Sequence, residues 1–182
     1  MKKLLSLLFA AFLLCTVAAA HAQKDPMVGG ADMFSTKNII ENAMNSNDHT
    51  TLVAAVKAAG LVDTLEGPGP FTVFAPTNEA FDKLPAGTVD NLLKPENLDT
   101  LKKVLTYHVV AGRITTHDLK KMIEEDAGKA TLTTVEGGKL TVWMKDGNFM
   151  ITDDKGGMAT ITIPNVYQSN GVIQVIDAVL MP

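Results

Sequence analysis

Apolar residues in the first half of the chain recur every three or four positions, which is the spacing of amphipathic helices. The longest such stripe consists of Leu98, Leu101, Leu105 and His108. Shorter helices are predicted over 38–44, from Thr50 or Thr51 to Gly60, and from Thr115 or Thr116 to Met122. The region from 37 to 119 is therefore predicted to be mainly helical.

The second half of the chain changes to the two-residue period of β-strands. The hairpin signal Glu136-Gly137-Gly138 separates predicted strands over 130–135 and 139–144. Turns rich in Asp and Gly separate two further predicted strands, 149–152 and 158–163, and Pro164 marks a strand edge or a bulge. Helices first and strands later predict a single α+β domain.

One strand is predicted inside the helical half. Thr72–Ala75 is a β-type run that ends at Pro76, because proline has no N–H to donate to a sheet. Thr77 can then cap a helix that turns Phe81 towards the core.

The C-terminal segment carries a second strand signal. Asn170-Gly171 predicts a tight turn, and the apolar run over 172–180, broken by Gln174 and Asp177, predicts one or two buried strands. We expect four core residues to join this segment to the strand over 72–75: Phe74, Phe81, Ile173 and Val175.

These two segments closely resemble the signature blocks of the fasciclin domain, and Tyr107-His108 lies between them, where that family has its Tyr-His motif. The resemblance runs from about Asn38 to Pro182. It implies a wedge of twisted β-strands with helices packed around it, in which the strand over 72–75 joins the C-terminal strands. It also implies a role in adhesion or matrix recognition, although a fold alone does not fix a function.

The N-terminus has the pattern of a secretory signal peptide. Lys2 and Lys3 precede a mostly apolar stretch, and Ala20-His21-Ala22 fits a cleavage site, so residues 1–22 are predicted to be removed. Cys15 lacks the small preceding residues of a lipid-attachment site. Residues 23–36 are weakly patterned and are interpreted as a leader, which leaves 37–182 as the domain. The expected location is therefore the periplasm or the extracellular medium.

Charge and composition exclude several classes of partner. Losing Lys2 and Lys3 takes the net charge from −4 to −6, and no basic cluster is present, which argues against nucleic acid and against electrostatic docking on anionic lipid. No segment after the signal peptide is apolar enough to span a membrane. Cys15 is the only cysteine, so the mature chain cannot form an internal disulfide.

Catalytic and metal-binding patterns are not found. His49, His108 and His117 lack the spacing of a metal site, and acidic residues such as Asp146 lie beside glycines, as hairpin-turn residues do. No nucleophile motif or phosphate-binding loop is present. We therefore expect no enzymatic activity and no cofactor.

Three residues are candidates for contact with a partner: Trp143, Tyr107 and His108. The fasciclin resemblance implies a binding role for the Tyr-His pair, since the motif is proposed to contact integrins in animal relatives. The helical stripe that the pair continues favours burial instead. Trp143 shares a strand face with Thr141, opposite Leu140 and Val142, and is either exposed or covered by a helix or the leader.

The leading hypothesis is a secreted, non-enzymatic adhesion or recognition module that binds a cell-surface or matrix protein or a polysaccharide. The alternative is a small-ligand-binding or enzymatic domain with a pocket between the helices and the sheet. Convergent polar groups and strongly perturbed titratable residues in such a pocket would favour the alternative. The family usually has His where this chain has Gln174, so no role that depends on protonation of that histidine is expected here.

Overall fold

The computed structural model describes residues 25–182, so the predicted signal peptide lies outside the described residues. Seven α-helices occur in this range: α1 (Ile39–Ala43), α2 (Thr50–Ala58), α3 (Val62–Glu66), α4 (Asn78–Asp82), α5 (Thr88–Leu92), α6 (Leu98–Tyr107) and α7 (Thr116–Glu125). The strands are β1 (Met27–Val28), β2 (Ala31–Asp32), β3 (Phe71–Pro76), β4 (Val109–Ala111), β5 (Lys129–Thr133), β6 (Lys139–Lys145), β7 (Asn148–Thr152), β8 (Met158–Gln168) and β9 (Gly171–Ile176). The predicted α+β class is confirmed.

Seven strands form one mixed sheet in the order β4-β3-β9-β8-β7-β6-β5. β3 pairs in parallel with β9, with Val73 opposite Ile173, and the other pairings are antiparallel. The two edges of the sheet approach each other, because Val110 bridges to Thr134 and the Val135 N–H donates to the Val109 carbonyl at 2.7 Å. The sheet is therefore a nearly closed wedge, and the expected union of the strand over 72–75 with the C-terminal strands is confirmed.

Side chains of the central strands alternate between two hydrophobic cores. Val73 of β3 packs with the N-terminal helices, whereas Phe74 enters a second core enclosed by the sheet. Ile173 and Val175 of β9 join the first core, and so does Phe81 from α4. All four residues expected to join the two signature segments are buried.

Side-chain caps define several helix starts. The Thr77 hydroxyl accepts from the Ala80 N–H at 3.3 Å at the start of α4, as predicted. Thr115 caps α7 in a reciprocal capping box with Asp118. The predicted cap of α2 is wrong: the helix already begins at Thr50, and its first turn is preceded by a short 3₁₀ turn.

The cap of α2 comes from another helix. The Asn78 side-chain oxygen on α4 accepts from the Thr51 N–H at 3.1 Å and from the Thr50 hydroxyl at 3.2 Å. The Asn78 amide nitrogen donates to the Asn47 carbonyl at 2.8 Å. A contact with α4 thus provides the helix cap that Thr50 or Thr51 was expected to provide.

The expected leader belongs to the folded unit in the part that the structure describes. β1 and β2 form a hairpin in which Gly29 and Gly30 have positive φ, and the Gly29 carbonyl accepts from the Asn47 N–H. Val28 and Met33 are buried in the first core. Strands of two residues are too short to produce a periodic pattern, so this packing could not be predicted from the pattern of apolar residues.

Pro164 lies in a bulge, as one of its two interpretations predicted. The register of β8 with β9 shifts on both sides of Ile163, and Asn165 has a φ of 55°. The strand does not end there but continues to Gln168, which corrects the predicted end at Ile163.

Candidate functional site

Tyr107 is completely buried at the end of α6. Its hydroxyl donates to the Lys139 carbonyl at 2.7 Å and accepts from the Asp154 N–H at 2.9 Å. Burial raises the pKa of Tyr107 to about 12, so the phenol stays neutral. A Cβ on Gly138 would lie 2.5 Å from the Tyr107 ring, so glycine is required there for the close approach of the hairpin. Tyr107 therefore ties α6 to the start of β6 and to the turn that follows β7.

His108 caps the same helix and is also buried. Its Nδ1 lies 2.7 Å from the Val104 carbonyl and its Nε2 accepts from the Leu180 N–H at 3.0 Å. These partners assign the proton to Nδ1. Burial lowers the pKa of His108 to about 4, and the attraction of Asp153 opposes this only in part. The ring is thus a neutral link between α6 and the C-terminal segment.

Asp153 holds the same segment from the sheet side. Its carboxylate accepts from the Met181 N–H at 2.9 Å and from the N–H groups of Lys155 and Gly157. Asp153 is thus a turn residue, as predicted, that also fixes the C-terminus. Of the three candidate contact residues, Tyr107 and His108 lie inside the protein and only Trp143 presents side-chain surface to solvent.

Tyr107→Phe should lower the free energy of unfolding by about 1–2 kcal/mol. The ring would remain, but the Lys139 carbonyl and the Asp154 N–H would both lose their partner. Urea unfolding at pH 7 measures the change. Tyr167→Phe, on a half-exposed side chain of β8, is the control and should change stability by less than about 0.5 kcal/mol. Equal losses in the two variants would contradict the structural role of the Tyr107 hydroxyl.

Trp143 lies on the outward side of β6, opposite the buried Leu140 and Val142. Its indole Nε1 donates to the Thr152 hydroxyl of β7 at 3.1 Å, so the ring leans across the neighbouring strand. Lys129 and Met150 are its direct cross-strand neighbours. The side chain is half-buried, which gives a ring held in one orientation with part of its surface free.

Trp143 is the centre of a surface that we call the outer face. The outer face consists of the outward side chains of β5 to β8: Lys129, Thr131, Thr133, Lys139, Thr141, Trp143, Lys145, Asn148, Met150, Thr152, Met158 and Thr160. The only charged residues within these four strands are three exposed lysines. Trp143 was expected as a contact residue from the sequence, but the surface around it was not, although threonine at every second strand position was the available signal.

A small cavity lies between the N-terminal helices and the sheet, where the alternative function would need a pocket. Its volume is about 40 Å³, far below the roughly 300–1,000 Å³ of typical ligand sites. The lining is apolar except for Ser46, His49 and His108. His49 bonds the Ser46 hydroxyl through Nδ1 at 2.8 Å, and burial lowers its pKa. The cavity is therefore lined by two histidines with lowered pKa values, but it lacks converging polar groups and room for a ligand.

Gln174 occupies the position where the family usually has histidine. The side chain is completely buried; its oxygen accepts from the Asn165 N–H at 2.9 Å and its nitrogen donates to the Ile114 carbonyl at 3.1 Å. A neutral amide satisfies both backbone groups at once. The position therefore serves as a polar link inside this fold.

Within residues 25–182, no group of three or more His, Cys, Asp or Glu side chains converges as metal ligands would. The same part of the chain contains no helix with the length and apolar character needed to cross a bilayer.

A sequence model of the Fasciclin domain matches residues 47–182. The chain belongs to the fasciclin domain family. Protein sll1483 of Synechocystis sp. is 45% identical over 170 residues, which cover 92% of this chain and 87% of that protein. The cell surface glycolipoprotein MPB83 of Mycobacterium bovis is 34% identical over 170 residues, covering 90% of this chain and 70% of MPB83.

The fasciclin fold is shared with a solved structure, the FAS1 domain pair from the insect cell adhesion molecule Fasciclin I. The TM-score is 0.71 at 21% sequence identity, and the match covers 80% of this chain. The chain spans about half of that structure, 51% of its length. The resemblance stated from the two signature segments and Tyr107-His108 is thus confirmed, and so is the fasciclin-like fold.

Proposed function

We propose that this fasciclin domain is an exported, non-enzymatic adhesion or recognition module. Residues 1–22 are removed on export, and the mature chain begins at Gln23, in the periplasm or outside the cell. The similar proteins include a cell surface glycolipoprotein and a cell adhesion molecule, which supports this assignment. Its partner is a protein or polysaccharide of the cell surface or matrix.

The observation that carries the proposal is the half-buried Trp143, part of whose ring surface remains free at the centre of the outer face. Tryptophan is enriched among the few interface residues that supply most of the binding energy. The hydrogen bond from its Nε1 to Thr152 holds the ring in place before any partner arrives, so little side-chain freedom is lost on binding. The Tyr-His pair cannot act in this way while it is buried.

Trp143→Ala should weaken binding of the mature domain to envelope material of its own cells by more than about 1 kcal/mol, roughly fivefold or more. The measurement is a binding isotherm of labelled protein on isolated envelopes. Met44→Ala removes an apolar side chain that is 47% exposed, more than that of Trp143, on the helical side of the domain, and it should leave the isotherm unchanged. Equal affinities of the Trp143 variant and the native protein would remove the outer face as the contact surface.

A further inference from the structure

We infer that the outer face binds an acidic polysaccharide that lies as an extended chain across β5 to β8. The inference rests on the proposed function, because it names the chemistry of the partner for the same surface. Three features of the face carry it: its charge, the hydroxyl rows around Trp143, and its regular geometry.

The charge of the outer face is opposite to that of the whole chain. Lys129 is directly opposite Trp143 on β5, and Lys145 is two positions along β6, about 7 Å away. Lys139 lies at the other end of β6, about 20 Å from Lys145 along the strand. The full chain has a net charge of −4, so this is a local cationic surface on an acidic protein.

The acidic residues of this half of the sheet lie in turns at the ends of the strands: Glu136, Asp146, Asp153 and Asp154. Three of these carboxylates already accept backbone N–H groups, and Glu136 does so from the Gly138 N–H at 3.1 Å. Asp153 accepts from Met181, and Asp154 accepts from Lys139 at 3.1 Å. Lys129 and Lys145, which flank the indole, are therefore the cations best placed to meet anionic groups of a ligand.

Hydroxyl groups form a row across the strands next to Trp143. Thr131, Thr141 and Thr152 are consecutive cross-strand partners on β5, β6 and β7. Their hydroxyls can exchange hydrogen bonds with those of a sugar, since each is both donor and acceptor. The indole supplies a flat apolar surface for the carbon–hydrogen face of a sugar ring. A polymer with rings, hydroxyls and carboxylates matches all three kinds of group.

The strands that form the face pair without interruption, which keeps the surface regular. The pairings β5–β6, β6–β7 and β7–β8 show continuous register, whereas the bulges of the sheet lie in β8–β9. An extended chain can therefore make repeated contacts along the face. An anionic bilayer or a nucleic acid duplex is larger than this face and would also come close to the acidic remainder of the protein. Repulsion between the like charges would then oppose binding.

The test uses polygalacturonate as the acidic polymer and fully methyl-esterified polygalacturonate as its uncharged counterpart. We expect the mature domain to be retarded in native gels that contain the acidic polymer and to migrate normally with the ester. Retardation should weaken as ionic strength rises from about 0.05 to about 0.5 M, because exposed charges are screened. Anionic lipid vesicles and poly-glutamate serve as comparisons and should bind more weakly.

Matched variants locate the site on the outer face. Lys129→Gln/Lys145→Gln should weaken binding to polygalacturonate about three- to tenfold. Lys57→Gln/Lys102→Gln removes the same charge from exposed positions on α2 and α6 and should have no effect. Trp143→Ala should weaken binding about tenfold.

Equal binding of the acidic polymer and its ester, equal effects of the two lysine pairs, or stronger binding to vesicles or poly-glutamate would overturn the inference. So would a lack of binding to polygalacturonate. These results leave the proposed function standing if Trp143→Ala still weakens binding to envelopes. Loss of that envelope effect, by contrast, removes the proposed function itself.

Discussion

Phe74→Ala should lower the free energy of unfolding by about 3–5 kcal/mol, the range for deleting a buried aromatic side chain. Phe74 is completely buried on β3, between β4 and β9, and its ring fills the core enclosed by the sheet. The alanine would leave a cavity that the surrounding strands cannot close, because both neighbours are held by hydrogen bonds. Urea unfolding followed by circular dichroism measures the loss.

Phe34→Ala is the matched control for this effect. Phe34 precedes α1 and is 41% exposed, with the Lys37 ammonium over its ring at 5.0 Å. Its removal should cost less than about 1 kcal/mol, because little apolar surface is returned to water. A loss below about 1 kcal/mol for Phe74→Ala would contradict the central packing of β3.

Lowering the pH from 7 to about 4.5 should destabilise the protein by about 2–3 kcal/mol through His108 alone. The pKa of His108 falls from an ordinary value of 6.5 to about 4 in the folded state because the ring is buried. Between these values the unfolded chain binds the additional proton, so stability is complete above pH 6.5 and decreases as the pH falls towards 4. Protonation would also remove the acceptor of the Leu180 N–H.

Urea unfolding at several pH values between 7 and 4.5 measures this dependence. His108→Gln should flatten it, whereas His117→Gln, at an exposed position on α7, should not. His49 contributes in the same direction, since burial lowers its pKa as well. Asp118 affects stability at lower pH. Hydrogen bonds from Thr115 lower the pKa of its carboxyl, so its contribution to the free energy of unfolding is lost only below about pH 3.8. An unchanged pH dependence in His108→Gln would show that the ring is not buried and neutral.

Local sequence signals predicted most of the helices and strands correctly. Three of these signals act through the backbone of a few adjacent residues, so they can be recognised directly in the sequence. They are the strand end at Pro76, the helix cap at Thr77 and the turn at Asn170-Gly171. The stripe that ends in Tyr107-His108 predicted burial of the pair for the same reason. The two-residue strands β1 and β2 lacked such a signal and were missed.

The candidate site was predicted only at its centre. Alternation along β6 placed Trp143 opposite Leu140 and Val142, which the structure confirms. The threonines and lysines around it come from four strands, and their arrangement depends on cross-strand register. Register is set by pairing between residues that are distant in the sequence, such as Thr131 with Thr141 and Thr141 with Thr152.

The sequence by itself determined the α+β class, the fasciclin relationship and the burial of both signature segments, because these depend on periodicity and on short motifs. Only the tertiary structure decided that β3 pairs in parallel with β9, that the first described residues complete the core, and that His108 holds the C-terminal Leu180. Each of these is a contact between segments that are far apart along the chain. Such contacts form where packing and hydrogen bonding offset the entropy of closing a long loop, and no local pattern records that balance.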